Sequence, residues 1–414
     1  MRSETNYEYA YYSFMSIEGK VARPKKLLTA TTGSVRDINR SILLNLVRSE
    51  QPISRADLSR RTGMFRSNVS AIIDQLVDEG MLTEERPLHA GRGRVPTHLR
   101  LNDSAYPVVG VYVQPATTLV AFAGLNGALN KTWSFPTVQQ PVPFVQELRR
   151  TISKIQREMR VDRLQRIGIA FPGFVNAKTG RIKFSPGLPE FSGYSLRDEM
   201  QRKIGVPVCA DNDSNLGALS ELWLRKADEH EGPVNFVFIS IGESGVGSGA
   251  VLDGQLYRGH DSQFAVEFGH MIVDPKGEKC SCGRSGCWER YIRNKAAWKR
   301  YKPKTAFHKE RFIEFVQAAR SGDPAAVAAL RETASYIALG VSNIAFALNP
   351  GALILAGEIT DAWDVIREPI EAVFQSLRAG TVLRRARLER ELPHLHGAIC
   401  LALNDVFAKP VLGQ

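Results

Sequence analysis

Cysteine is scarce in this chain, with five in 414 residues. No run of about 18 apolar residues occurs, so no transmembrane helix is expected. The N-terminal stretch MRSETNYEYAYYSFMSIEGK lacks the apolar core of a signal peptide and carries glutamates and tyrosines in its place, which points to the cytoplasm. In that reducing compartment, clustered cysteines indicate metal rather than a disulfide framework. Tandem repeats of fixed period and low-complexity segments are absent as well. Acidic residues are a minority, 43 against 54 basic, for a net charge of +11. Such an excess suggests an anionic partner, the alternative being a generally basic soluble protein. Residues 1–100 hold 16 Lys and Arg against 11 Asp and Glu, a net +5, leaving +6 for the other 314. What remains is ordinary for a globular protein, 43% hydrophobic and 23% charged, and the length predicts two or three domains.

Residues 1–30 show no clear pattern and are read as a tail, disorder being one reading of it. Three helices are then predicted. SVRDINRSILLNLVRSE starts at Ser34 as cap and spaces Ile38, Ile42, Leu43, Leu46 and Val47 helically. SRADLSRRTG runs from the cap Ser54 to Gly63. MFRSNVSAIIDQLVDEG places Val69, Ile72, Ile73, Leu76 and Val77 on one face and ends at Gly80. The last two form a helix-turn-helix pattern, with Leu58 inward, Ser59 at the crossing and Gly63 in the turn. Phe65, Arg66, Ser67, Asn68 and Ser70 are then candidates for the major groove. Arginine pairs with guanine, asparagine with adenine, and serine with phosphate. Leu82–Glu85 and Thr97–Leu101 flank a GRGR tip, giving a β-hairpin wing with Arg92 and Arg94 suited to phosphates or a narrow minor groove. Helix pair and basic wing together indicate double-stranded DNA binding over 31–105. The alternative is a small helical dimerisation domain.

From residue 106 onward strands and helices alternate, which predicts an α/β body with mixed sheets. Beyond Lys295 the chain reads as mostly helical, interrupted by one strand, GALILAG. Within this body lies EFGHMIVDPKGEKCSCGRSGCWER, where His270, Cys280, Cys282 and Cys287 follow the spacing H-x9-C-x-C-x4-C. Three thiolates and one imidazole fill a tetrahedral zinc shell and leave no position for a reacting water. One structural Zn2+ per chain is therefore expected, rather than a catalytic ion. Cys209 and Cys400 lie far off in sequence and read as small buried residues.

The same stretch resembles the zinc signature of the ROK family of repressors, open reading frames and sugar kinases, whose pattern is E-x-G-H followed by G-x-x-C-x-C-G-x-x-G-C-x-E. Every position of that pattern is matched. GIAFPGFVNAKTGRI, DNDSNLGALSE and SGVGSGAVLDGQLYRG resemble further family segments in the family's order. A winged helix before such a body is similar to the repressor branch, which includes glucose-, N-acetylglucosamine- and xylose-responsive regulators. The resemblance implies a multidomain chain. A winged helix-turn-helix would precede a two-lobed α/β body of RNase H-like (actin-like ATPase) fold. The first lobe would span 106–215 and 395–414, and the second, with the zinc loop, 216–394. It implies sugar contacts at Gly173, Asn212, Asp213, Glu267, His270 and Glu289. Carboxylates and an amide suit the several hydroxyls of a monosaccharide. Expected partners are a palindromic operator, a sugar effector, a second copy in a homodimer or homotetramer and, by analogy within the family, a sugar-transport protein.

In the family's kinases Asp213 would be the general base. Those enzymes also need a D-x-G-G-T phosphate loop, and here the stretch is GVYVQPATTLV. Tyr112 replaces the acidic residue and Gln114-Pro115 the glycine pair. Proline has no N–H to offer a phosphate. LILAGEI has the single Gly357 where the family has two or three glycines, and SPGL has Gly187 where the family often has asparagine. The reading is a sugar-responsive regulator of carbohydrate genes without kinase activity. The alternative is a ROK-type sugar kinase carrying an added DNA-binding domain.

Overall fold

The computed structural model describes residues 32–85, 97–225, 234–243, 245–260, 265–302, 306, 309–377 and 380–407. The expected tail 1–30 and the wing tip with Arg92 and Arg94 lie outside them.

The head is built from α1 (Thr32–Glu50), β1 (Ile53–Ser54), α2 (Arg55–Thr62), α3 (Arg66–Asp78), β2 (Leu82–Glu85) and β3 (His98–Leu101). Ser54 caps α2 as the sequence indicates. Its hydroxyl accepts from the Asp57 N–H, and the Asp57 carboxylate accepts from the Ser54 N–H. This reciprocal pair is worth about 1 kcal/mol. Gly63 ends α2 in the left-handed region at φ 70°, and the Ser59 hydroxyl donates to the Met64 carbonyl at 2.7 Å across the turn. Leu43, Leu44, Val47, Leu58, Val69, Ile73, Leu76 and Leu99 close the core. Two details differ from the sequence reading. α1 begins at Thr32, so Ser34 lies in its first turn rather than before it. Helix ends follow backbone dihedrals, and a polar residue marks them only to within a turn. Residues 53 and 54 add a third strand, in the order β1-β3-β2; two residues carry too little pattern to be read alone.

The body contains two five-stranded sheets of the same design. In the first, β4 (Val108–Val113), β5 (Thr117–Ala123) and β6 (Lys131–Pro136) form an antiparallel meander. Beyond α4 (Pro141–Met159), β7 (Arg166–Phe171) joins β4 in parallel. The small hairpin of β8 (Phe174–Asn176) and β9 (Arg181–Phe184) follows, then α5 (Leu196–Ile204). β10 (Val208–Asn212) then extends the sheet beside β7. α6 (Asp213–Trp223) leads to the second sheet, where β11 (Phe236–Ile241), β12 (Val246–Leu252) and β13 (Gln255–Tyr257) repeat the meander. Helices α7 (Glu289–Ile292), α8 (Asn294–Tyr301), α9 (Lys309–Arg320) and α10 (Pro324–Leu348) intervene. β14 (Ala352–Ala356) then pairs in parallel with β11. After α11 (Trp363–Leu377), β15 (Val382–Arg385) pairs in parallel with β14, and α12 (Leu392–Phe407) closes the described chain. The duplicated topology shows no sequence period because unequal insertions separate its equivalent strands.

α12 lies on the first sheet and against α6, which lies on the second. Gly110 and Gly168 leave no room for a side chain under α12, and Gly397 leaves none where α12 crosses α6. The lobe boundaries expected at 215/216 and 394/395 thus fall inside α6 and α12, the packing surface between the sheets. One further expectation needs correction. β15 is a second strand beyond Lys295; its short VLRR run is an edge strand whose arginines mask the usual pattern. β10 passes directly into α6 at Asn212 and Asp213. Among the described residues no helix is long and apolar enough to cross a membrane.

Candidate functional site

On the head, α3 presents its N-terminal end outward. Phe65 is 80% exposed, a large apolar ring in water. Arg66, Ser67 and Asn68 are exposed and Ser70 is half-buried. No side chain caps the start of α3, so its first N–H groups are free to meet an anion. α3 is held to α1 by Arg36, whose guanidinium donates to Gln75 Oε1 at 2.8 Å, and by Arg40, paired with Glu79 at 2.6 Å.

In the body, His270, Cys280, Cys282 and Cys287 converge, with ligand atoms all within 4.8 Å of one another. Cys280 Sγ lies 3.6 Å from His270 Nδ1, and Cys282 Sγ lies 3.5 Å from Cys287 Sγ. Sulfurs around one tetrahedral ion at ~2.3 Å stand about 3.8 Å apart, so this donor set fits a small divalent metal. The loop is shaped by bridges between Ile272 and Cys287 and between Lys279 and Ser285. At Gly286, φ 70° and a close approach to the Asp274 carbonyl both demand glycine. Cys400 is buried as expected; Cys209 is only partly so.

The centre adjoins a group of carboxylates. Glu289 is buried, and its Oε1 meets Cys280 Sγ at 2.9 Å. His270 Nδ1 stands 4.0 Å from the same oxygen. Nδ1 faces the thiol cluster, which leaves Nε2 as the nitrogen for any second partner. Glu267 follows Val266, a β-branched residue held at φ 61°. Such a backbone costs about 1–3 kcal/mol. It is kept by the Val266 carbonyl accepting from the Ser248 hydroxyl and the Phe268 N–H. Burial, with Asp213 and Glu289 adding repulsion, pushes the Glu267 carboxyl up to about 7. Burial likewise pushes Asp213 up to about 6, against the opposing hydrogen bonds from Ser214. Asp213 Oδ1 accepts from the Ser214 N–H at 2.8 Å.

Asn212 has a structural task that the sequence did not reveal. Its Oδ1 accepts from the N–H groups of Ser214 (2.9 Å) and Asn215 (3.1 Å), capping α6. Nδ2 donates to the Gly173 carbonyl at 2.9 Å, and the same side chain also hydrogen-bonds the Asp213 carboxylate. Gly173 sits at φ 102°, and a Cβ there would run into the Phe184 carbonyl. Phe174 and Phe184 tilt over this corner with centroids 6.0 Å apart. Asp211, almost fully buried, is fixed by Arg258 at 2.6 Å. These last residues were missed because only a fold brings 174, 184, 211 and 258 together.

The β4–β5 turn is tight. The Gln114 N–H is spent on the Thr117 carbonyl, and Gln139 donates to the Pro115 carbonyl at 2.9 Å. Tyr112 is buried and stacks on His394 at 4.9 Å. A Cβ on Gly187 would stand 2.9 Å from Pro115 Cγ, so the two departures noted in the sequence touch one another. A separate cavity of about 200 Å³, lined by Ile313, Arg320, Asp361, Arg385 and Arg390 among others, contains none of these residues. Its arginines are paired with Asp361, Asp364 and Glu389.

A family model described as the ROK family matches residues 117–401. The chain belongs to the ROK family. A MarR family model matches residues 37–93, the head. The chain is 30% identical over 346 residues to the xylose repressor of Bacillus subtilis, covering 80% of this chain and 85% of that one. It is 27% identical over 288 residues to the glucokinase of Streptomyces coelicolor, covering 66% of this chain and 88% of that one. Among solved structures, a ROK family transcriptional regulator, homologue of the E. coli MLC protein, superposes with a TM-score of 0.75. Identity there is 23%, over 90% of this chain and 98% of that one. Head and body together thus share the fold of a ROK regulator.

Proposed function

We propose that this protein is a sugar-responsive transcriptional repressor of carbohydrate uptake or metabolism genes, acting in the cytoplasm. The observation that carries the reading is the union of two parts in one chain. One is a head exposing Phe65, Arg66, Ser67 and Asn68. The other is a ROK body whose carboxylates gather beside a His/Cys3 centre. We divide the chain into head (31–105), first lobe and second lobe as the sequence suggested, with α6 and α12 between the lobes. Gly173, Asn212, Asp213, Glu267, His270 and Glu289 are the proposed sugar contacts. His270, Cys280, Cys282 and Cys287 would hold one Zn2+, whose contribution is to fix the loop that presents Glu267 and Glu289. A homodimer or homotetramer would read a palindromic operator.

The xylose repressors among its relatives make D-xylose the first effector to test. Fluorescence anisotropy on DNA upstream of the gene, at fixed salt, is expected to show binding that one monosaccharide shifts. Binding that no sugar or sugar 6-phosphate shifts would favour a protein partner such as a sugar-transport component.

The kinase alternative keeps two observations in its favour, the likeness to a glucokinase and an Asp213 carboxyl raised to about 6, near the range of a general base. Against it stand Pro115, the spent Gln114 N–H and the buried Tyr112 ring, which leave the turn without a phosphate cradle. An ADP-release assay over hexoses and xylose is expected to stay at background. Turnover abolished in Asp213→Asn would overturn the non-enzyme reading.

A further inference from the structure

Helix α6 touches both functional regions. Its first residue is Asp213, and its cap is Asn212, tied to Gly173. Ten residues on, about 15 Å along a straight helix, it ends at Trp223. There α1 of the head takes hold. Arg48 lies over the Trp223 ring at 4.3 Å and donates from Nη1 to the Trp223 carbonyl at 2.9 Å. That carbonyl belongs to the negative end of the α6 dipole, where a guanidinium is favoured.

Phe407, the last residue of α12, meets Trp223 edge-on at 5.0 Å and lies 5.7 Å from the Arg48 guanidinium. Its carbonyl accepts from Ser41 Oγ (3.0 Å) and Asn45 Nδ2 (2.7 Å), both on α1. A single apolar cluster continues from Leu43, Leu44 and Val47 through Phe407 and Trp223 to Leu216 and Ile399.

Another attachment of the head meets the same place. In the linker, Asp103 accepts from Asn126 Nδ2 at 2.7 Å, and its carbonyl accepts from the Leu125 N–H at 3.2 Å. Gly127 of that turn backs onto Trp223, where a Cβ would stand 3.1 Å from the indole nitrogen. Contacts thus run without a break from α6 through Trp223 to α1, and through Arg36 and Arg40 to α3.

We propose that the Arg48–Trp223 contact is the relay through which pocket occupancy and operator binding influence one another. The relay rests on the function proposed above. It requires α6 to take two positions that ligand and DNA favour differently. Linkage then makes the effect reciprocal, with couplings of this kind typically about 5–150-fold.

The test compares wild type with Arg48→Gln, the milder Arg48→Lys, Trp223→Leu and the remote control Arg150→Ala. Arg150 is exposed on α4. Operator affinity is measured by anisotropy with and without D-xylose, and D-xylose affinity alone by calorimetry. In the relay variants the sugar-induced shift is expected to fall below about two-fold, with D-xylose affinity kept and the control unchanged. Arg48→Lys keeps the charge but neither the planar stacking nor the fork, and serves if the other variants fold poorly. An undiminished shift in correctly folded Arg48→Lys and Trp223→Leu overturns the proposal. If D-xylose shifts nothing in wild type, the effector reading has failed. Hydrogen exchange then decides the relay. Operator is expected to protect α6 amides in wild type and not in Arg48→Lys, and equal protection in both overturns it.

Discussion

The exposed start of α3 on the head and the carboxylate group of the body use polar residues in opposite ways. At the start of α3, Phe65, Arg66, Ser67 and Asn68 stand in water, ready for a highly charged partner. In the body, Asp213 and Glu267 are half-buried, and desolvation pushes their carboxyls up to about 6 and about 7. The first arrangement gains strength from long-range attraction and is weakened by salt. The second stores a desolvation cost that the proposed hydroxyl-rich ligand would relieve by supplying hydrogen bonds. On the proposed function, the chain would keep an exposed DNA surface while holding a pocket whose unliganded state is the less comfortable one.

The largest test of this contrast is the metal proposed for the His/Cys3 cluster. Removing it with a chelator, or replacing Cys287 with Ser, is expected to lower the melting temperature by more than about 5 °C. The sugar response should disappear with it. Full sugar response in chelated, metal-free protein would break the link between centre and pocket.

Next comes pH. The Asp213 carboxyl is raised from 3.8 to about 6. Between those values the native state keeps a proton that the unfolded chain has released. Stability therefore falls as pH rises through the window, by at most about 3 kcal/mol. Denaturant melts of Asp213→Asn from pH 4 to 7 are expected to lose most of that slope. They should show a variant more stable than wild type at pH 7 and deficient in sugar binding. An unchanged slope would mean the carboxyl is not desolvated.

On the head, Arg66→Ala is expected to cost about 1–3 kcal/mol of operator binding, with melting temperature and sugar affinity unchanged. A change in sugar affinity would blur the two regions. The smallest effect concerns the cap. Ser54→Ala should cost about 1 kcal/mol in thermal stability, through α2 alone, and leave the body's melt in place.

Local rules made the head legible. The Ser54 cap, the Gly63 turn and the helical spacing from Val69 to Leu76 are short-range signals, and the elements stand within a residue or two of where those signals put them. The His270, Cys280, Cys282 and Cys287 cluster was legible for the same reason, its members being close in sequence and chemically distinctive. α6, α12 and β15 were harder. Their roles depend on which sheet each one packs against, and no window of neighbouring residues encodes that.

By itself the sequence determined the winged helix, the alternating α/β body, the His/Cys3 set and the departures at Tyr112, Pro115 and Gly187. Each of these is a statement about residue type at fixed spacing. Only the tertiary structure decided the duplicated sheets and the double duty of Asn212 as cap of α6 and partner of the Gly173 carbonyl. Raised carboxyl pKa values at Asp213 and Glu267, and the grip of Arg48 on Trp223, were settled there too. Their physical cause is burial and contact between residues up to 175 positions apart, which exist only once the chain has packed.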